Sequence, residues 1–504
     1  MTTRSQVLSA IVIGTGFSGL GSAIRLKQAG FDFLVLERSD SVGGTWRDNH
    51  YPGAACDIES HLYSFSFELN PKWTRTFATQ GEILAYLNHC ADKYGIRPLI
   101  RFNTAAVKAT WDERTATWEV VASDGSRYHA RAIVSACGGI TRPSLPDIPG
   151  AASFKGKTFH SARWDDDYAL EGKSVAVIGT GASAIQIVPA IAPKVKKLSV
   201  FQRTAPWVIA RNDHAIGERA QSVYDAFPAT QKVVRGALYA RHEAFALAFL
   251  GNQTVGKLGE FQGRKHLESQ VRDIALRDKL TPKYPMGCKR VLISNDYYPA
   301  LQRPNAELVT DGIASIVADG IITNDGKKYE VDAIVCATGF YVADFEAPFE
   351  VRGRRGAELS EVWRHTPEAY LGTTISGFPN LFVVFGPNTG LGHNSTVYMI
   401  ESQIAYVIDA LRTMKNERIA TVEIKREAQR AFNEEMQTRL AKTIWATGCK
   451  SWYISASGRN TTLWPGFTFE FRKRTRKFDL AAYDATAESA VVAETQQAAV
   501  SSLS

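Results

Sequence analysis

The sequence predicts an α/β chain: two dinucleotide-binding, Rossmann-like domains with a helical subdomain inserted. Three observations carry that expectation. A strand, a glycine turn, a helix and a second strand open the chain, and the same pattern recurs from Ser174. A long stretch from about Asn212 to Leu280 has helical texture, few turn signals and mixed charge.

In the first unit, Ser9–Ile13 reads as a buried parallel strand. Gly14-Thr15-Gly16-Phe17-Ser18-Gly19 follows it, then a helix through Leu20–Gln28 and a strand Phe33–Leu36 that ends at Glu37. Gly14 permits the tight turn, Gly16 lets the backbone approach a pyrophosphate, and Gly19 brings helix and strand together. Glu37 is placed to accept hydrogen bonds from ribose hydroxyls. In the second unit, Ser174–Ile178 leads into Gly179-Thr180-Gly181-Ala182-Ser183-Ala184, and Lys197–Phe201 ends at Gln202-Arg203-Thr204. Arg203 stands where the first unit has its acid. A carboxylate there would repel a ribose 2′-phosphate, whereas a guanidinium grips it with paired charged hydrogen bonds. The first site therefore suits FAD and the second NADPH, which implies electron passage from NADPH to FAD.

At 504 residues the chain exceeds one compact core, so two or three domains are expected. Hydrophobic residues at 45% and charged residues at 22% are ordinary for a soluble globular protein. The formal charge of +8 suits an anionic partner, which a dinucleotide satisfies as well as a nucleic acid. The six cysteines contain no C-x-x-C pair, which argues against a zinc site, a dithiol centre or a disulfide framework and favours reduced thiols in the cytoplasm. The short apolar run before Gly14 reads as a first strand and not a signal peptide. The most apolar later stretch, Ala244–Leu250, falls far short of the roughly 18 residues needed to span a bilayer. Ala130–Gly139 and Glu330–Thr338 share a strand texture of the kind that rejoins a first dinucleotide fold, making the FAD-binding domain discontinuous. The expected boundaries are 1–141 and 340–485 for the FAD-binding domain and 150–211 and 283–338 for the NADPH-binding domain. Residues 212–282 form the helical insertion and 486–504 a flexible tail.

Three further motifs carry a family resemblance. Phe154-Lys155-Gly156 through His160 to Trp164-Asp165 is one, and Gly43-Gly44-Thr45-Trp46 through Tyr51-Pro52-Gly53 to Asp57 is the second. Lys289-Arg290 followed by Tyr297-Tyr298 is the third. Together they resemble the type I Baeyer–Villiger monooxygenases, class B flavoprotein monooxygenases, over nearly the whole chain from Ile11 to about Phe471. The resemblance implies that NADPH reduces FAD, that O2 adds to give a C4a-peroxyflavin, and that one oxygen atom enters beside a ketone carbonyl to give an ester or lactone. NADP⁺ is expected to remain bound during the oxygen step.

For catalysis the resemblance implies Arg290 as a fixed cation and Asp57 as the group that holds it. For FAD it implies Gly14, Gly16, Phe17, Ser18, Gly19, Glu37, Gly44, Thr45, Trp46, Asp57, Tyr63 and Val107. For NADP it implies Gly179, Thr180, Gly181, Ala182, Ser183, Ala184, Arg203, Thr204, Lys289 and Arg290, with no metal. His160 is expected to couple domain movement to catalysis without touching the oxygen chemistry. Gly386-Pro387-Asn388 through His393-Asn394 is expected to approach the flavin ring, and the aromatic segment Thr447–Phe471 either to fold over the site or to close a core. Oxidation of nitrogen or sulfur is the nearest alternative activity, and disulfide reduction lacks its paired cysteines. The basic run Phe471–Lys477 reads as a solvated face rather than a nucleic-acid or membrane patch. The partners expected are a ketone and O2, with the chain a monomer or small homo-oligomer.

Overall fold

A computed structural model describes residues 7–342, 349–448, 451–455 and 457–491. Val7–Ile13 runs parallel to Phe33–Leu36 on one side and Arg127–Ser135 on the other, with Ile11 opposite Leu34 and Ile133. Ala10, Ile11 and Val12 are fully buried, because a parallel strand in mid-sheet is covered on both faces and reads as one apolar run. The sheet has eight strands. Ile100–Arg101 forms one edge, and an antiparallel meander of Ala106–Asp112, Thr117–Ala122 and Arg127–Ser135 leads to Glu350–Arg352 at the other. Leu381–Val383 pairs with the end of Arg127–Ser135. Trp111 and Trp118 lie opposite each other in the meander, edge to face at 5.4 Å, a cross-strand aromatic pair that fixes its register.

The second sheet is wholly parallel, in the order Ala306–Val309, Lys197–Phe201, Ser174–Ile178, Ala333–Cys336, Lys157–His160. The strand within Glu330–Thr338 thus joins the second sheet. Of the two segments of like texture only Ala130–Gly139 contributes to the first sheet, and apolar texture alone does not say which sheet a strand enters. Tyr297 and Tyr298, the last residues of the third motif, are buried in the core beneath this sheet and pack there with Val177, Leu198 and Leu308.

The two sheets are joined where the chain crosses between them twice. Pro143 bridges Phe340, Ser144 N–H donates to Gly339 O at 2.9 Å, and Tyr341 N–H to Arg142 O at 3.0 Å. His160 fastens this crossing. Its Nε2 donates to Gly339 O at 2.9 Å while Nδ1 accepts from Ala162 N–H at 3.1 Å. Burial holds the imidazole below its ordinary range, and both ring nitrogens are committed, so His160 is a neutral tie and not a base.

The insertion comprises the helices Glu218–Ala226, Pro228–Phe249, Gln253–Gln270 and Ile274–Leu280. Proline at the start of the second, Asn252 capping the third and Asp273 capping the fourth set where each begins. At the C-terminal end the expected tail starts too early. Thr486 and Ala487 belong to the strand Tyr483–Ala487, which pairs with Ile419–Ile424, and Glu488 forms an ion pair with Arg131. Only residues 492–504 of that tail lie outside the described residues.

The cysteine expectation also needs correction. Cys56, Cys90, Cys137 and Cys336 are free, but Cys288 is disulfide-bonded, so spacing in the sequence did not reveal what folding brings together. Cys449 lies outside the described residues. Among the described residues no helix is long and apolar enough to cross a membrane. In the basic run, Arg472 stacks on Tyr398 at 3.7 Å and Arg474 pairs with Glu435, so part of its charge is already spent within the fold.

Candidate active site

Gly14 has φ +105°, and a Cβ on it would lie 2.7 Å from Ala136 O, so only glycine fits this turn. Gly19 abuts the Gly14 carbonyl. Gly16 carries a different constraint: its nearest neighbour in that direction is Gly44 Cα, leaving bare backbone on both sides of the turn. The helix Phe17–Gln28 starts here, with Ser18 in its first turn and no side chain capping it. Unfilled backbone at a helix N-terminus fits a pyrophosphate. Thr45 and Trp46 begin the short helix next to Gly44, and Trp46 Nε1 donates to the Tyr63 hydroxyl at 3.2 Å. Tyr63 packs edge-on against Phe17 at 5.1 Å, and its phenol is pushed well up by burial.

Glu37 is buried and fully engaged. Its Oε2 accepts from Thr15 N–H at 3.0 Å and Thr15 Oγ1 at 2.5 Å, and its Oε1 from Ser39 N–H at 3.0 Å, with Arg47 at 3.2 Å. A carboxylate offers about four lone-pair positions. A ribose hydroxyl must therefore displace a protein donor, and Arg47 makes the longest contact. Val107 is half exposed, three residues beyond Thr104, whose N–H donates to Glu37 O.

The second glycine turn follows the same logic. Gly179 has φ +114° and faces Ala337 O, whereas nothing lies within 4 Å of a Cβ on Gly181. Thr180 Oγ1 donates to Thr204 O at 3.1 Å, fastening the turn to the end of Lys197–Phe201. Ala182 is exposed and Ala184, buried, starts the helix Ala184–Ile191, with Ser183 immediately before it. Arg203 is exposed. Lys289 is depressed below the usual lysine range, first by burial and then by the neighbouring Arg203. Two neighbouring cations are the chemistry that a 2′-phosphate requires, and Arg203 lines a cleft of about 830 Å³ together with Trp445 and Trp452. Arg203→Ala is expected to raise KM for NADPH roughly 10- to 100-fold, the worth of one or two charged hydrogen bonds. KM for NADH should move less than about threefold. Steady-state kinetics with both cofactors decide, and an equal rise with each would remove Arg203 from phosphate recognition.

The loop carrying Asp57 joins the two halves. Cys56 N–H donates to Ala78 O and Ser60 N–H to Thr76 O, holding the loop to the first domain. Tyr51 donates to Gln186 Oε1 at 3.0 Å and Gln186 Nε2 to Ala55 O at 3.0 Å, fastening the same loop to the helix Ala184–Ile191 of the second. Arg211 adds weaker contacts to Cys56 O and stacks over Phe77 at 5.0 Å. Arg290 then meets Asp57, its Nε at 3.0 Å and Nη2 at 2.5 Å from the same Oδ2. Asp57 is the first influence keeping the guanidinium charged. The two side chains stay 34% and 30% exposed, so the pair is not fully covered.

An aromatic cluster lies beside the pair, with Tyr453 near enough to Arg290 to feel its charge. Phe249 stacks on Trp445 at 5.7 Å, Trp445 meets Tyr453 edge-on at 6.4 Å, and Trp445 Nε1 donates to Gly287 O at 3.1 Å, three residues from Arg290. The Tyr453 phenol is pushed up to about 12 by burial, with Arg290 pulling the other way. Phe249 and Trp445 were not singled out from the sequence as site residues. Tyr453 was noted only as part of an aromatic segment. His393 and Asn394 sit close by and are buried, and Asn394 Nδ2 donates to Glu243 at 2.6 Å. A fixed cation at the rim of an aromatic wall, between two dinucleotide cradles, can hold negative charge on an apolar molecule's oxygen.

Residues 8–350 match the model of the flavin-binding monooxygenase-like family. The chain is 51% identical to a Baeyer–Villiger monooxygenase of Pseudomonas aeruginosa over 94% of its own length and 91% of the relative's. It is 49% identical to one of Streptomyces coelicolor, over the same shares. The structure is similar to an oxidized steroid monooxygenase bound to NADP, with a TM-score of 0.85, 30% identity and coverage of 95% and 99% of the two chains. It is similar also to the cyclohexanone monooxygenase from Rhodococcus sp. Phi1 bound to NADP⁺, with a TM-score of 0.85, 28% identity and coverage of 96% and 100%.

Proposed function

This chain belongs to the Baeyer–Villiger monooxygenases of the flavin-binding monooxygenase-like family, and we propose that Asp57 and Arg290 are the pair at which its ketone reacts. The enzyme uses FAD and NADPH. When bound, FAD would carry the electrons of NADPH to O2, so that one oxygen atom of O2 enters beside the carbonyl and the other leaves as water. The chain's own residues do the rest. Arg290 points its free edge at the ketone oxygen and holds the negative charge that develops there, where one preorganised donor is worth about 3–4 kcal/mol. Asp57 keeps the guanidinium aimed through its two bonds. Phe249, Trp445 and Tyr453 exclude water and accept the apolar body of the substrate, so an apolar ketone is the class favoured.

The observation that carries this reading is the Asp57–Arg290 pair opening onto an aromatic wall. Both relatives above are Baeyer–Villiger monooxygenases, which favours a carbonyl over nitrogen or sulfur. Aerobic incubation with NADPH and a panel of linear, cyclic and aryl ketones plus one sulfide tests it, with products identified by mass spectrometry and hydrogen peroxide assayed in parallel. An ester or lactone is expected from at least one apolar ketone. Sulfoxide or peroxide alone would replace this reading with the heteroatom-oxidising one.

A further inference from the structure

The helix Pro228–Phe249 lays one face on the loops of the first domain, and much of that face is polar. Gln231 donates to Asn70 O at 2.7 Å, and Arg235 to His61 O at 2.8 Å and to Leu62 O at 3.1 Å. His242 reaches both the loop and the turn beyond it. Its Nε2 lies 2.6 Å from Glu59 Oε2 and its Nδ1 2.7 Å from His393 O. Glu59 is 5% exposed, stands two residues after Asp57 on the same loop, and takes Arg241 on its other oxygen.

A backbone carbonyl only accepts, so Nδ1 must carry a hydrogen. A neutral imidazole would then turn its Nε2 lone pair on a carboxylate oxygen at 2.6 Å, which is repulsive. Both contacts close only if the pair holds one proton more than a neutral imidazole and a carboxylate bring. Around this pair, Arg241 and Glu243 face it from the helix, Asp57 from the loop, and the His393 carbonyl from the turn that carries it. Glu243 is itself engaged by Asn394 and by Thr468 N–H and Oγ1. Burial, the largest influence on His242, opposes a charge on the ring and holds it below the ordinary imidazole range, so the extra proton is assigned on the two contacts alone.

We propose that Glu59 and His242 share one buried proton and form the strut that positions Asp57, and through it Arg290, against the turn carrying His393. The role assigned to the strut rests on the function proposed above. The unfolded chain holds no such proton once pH exceeds the ordinary histidine value of about 6.5. The folded chain then binds one proton more, so the folding equilibrium falls about tenfold per pH unit until the shared proton leaves. Loss of that proton frees the loop, and the two electrons of NADPH then reduce O2 to hydrogen peroxide instead of oxygenating the ketone.

The FAD-loaded enzyme is compared with Glu59→Gln and His242→Phe from about pH 6.5 to 9.5, reading Tm without substrate and, with a ketone present, the share of NADPH that ends as hydrogen peroxide. A glutamine amide accepts from Arg241 and donates to Nε2, which rebuilds the strut with no extra proton. Tm of the wild type is expected to fall with pH more steeply than that of Glu59→Gln. The wild-type peroxide share should rise at least threefold across the range, against a flat profile for Glu59→Gln. His242→Phe should show a high share at every pH while NADPH reduces its flavin within twofold of the wild-type rate. A Glu59→Gln enzyme whose Tm tracks the wild type across the range would overturn the shared proton, whatever becomes of His242→Phe. Wild-type coupling in His242→Phe would overturn the positioning role. The Tm comparison needs no ketone, so it still decides on the proton if no ketone yields an ester and the proposed function itself fails.

Discussion

Arg290→Ala is expected to lower ester formation by on the order of a thousandfold while NADPH still reduces the flavin. Arginine cannot realistically lose its proton, and Asp57 adds to that by keeping the guanidinium charged. Its Nε and Nη2 are both spent on Asp57 Oδ2, which fixes the direction in which the outer edge points. Removing one preorganised donor of this kind costs about 3–4 kcal/mol at the transition state, a factor of 10² to 10³. Arg290→Lys separates charge from aim. A lysine keeps the positive charge but cannot make both bonds to Asp57 while presenting a free edge, so it should recover about a tenth of the activity or less. Stopped-flow absorbance reads the reduction step, and mass spectrometry reads the ester. If Arg290→Ala kept ester formation within tenfold of wild type, the carbonyl would have to be activated by another group. A flavin that no longer reduces would instead assign Arg290 to NADPH binding.

The parts of the fold that follow from local chemistry were legible in the sequence. The strands Ser174–Ile178 and Lys197–Phe201 have the bounds expected from their apolar runs, and Gly14 and Gly179 have the positive φ their turns require. Arg203 stands two residues beyond the strand Lys197–Phe201, at the offset expected from the fingerprint. Asp57 and Arg290 are 233 residues apart, and only the resemblance brought them together before the structure did. Nothing in the sequence announced Glu59, His242 and His393 as partners, since their separations are 183 and 151 residues. A trace was present, however. Gln231, Arg235, Tyr239 and His242 recur at three- and four-residue spacing in line with Ala246 and Phe249, so polar groups occupy the stripe that a docked helix buries. Such a stripe signals a polar partner surface, although not which one. Glu37 taught the opposite lesson: its position fits ribose recognition, yet the folded turn already uses the carboxylate for its own amides.

The largest effect expected on the fold comes from Gly19→Ala. A Cβ at this position would lie 1.9 Å from Gly14 O and 2.6 Å from Gly14 C, both backbone atoms of the turn that must itself stay against Ala136. No side-chain rotamer can relieve that contact, so the helix Phe17–Gln28 has to lift from the sheet. Overpacking in a core ordinarily costs 1–3 kcal/mol, and a clash with rigid backbone belongs at or above the top of that range, about 3 kcal/mol or more. The purified variant is therefore expected to carry little FAD and to melt roughly 3–6 °C below wild type. Gly181→Ala provides the contrast. Its Cβ meets nothing within 4 Å, so Tm should stay within about 1 °C, while KM for NADPH rises because the methyl group occupies the approach to the pyrophosphate. Gly21→Ala lies between them, since the far ends of Ile404 and Phe65 at 2.8 and 2.9 Å can turn aside. Flavin absorbance per protein and thermal melts of the three variants rank them. A Gly19→Ala protein with full flavin and wild-type Tm would mean that the turn and helix are looser than this packing requires, and the steric reading of the third glycine would have to be abandoned.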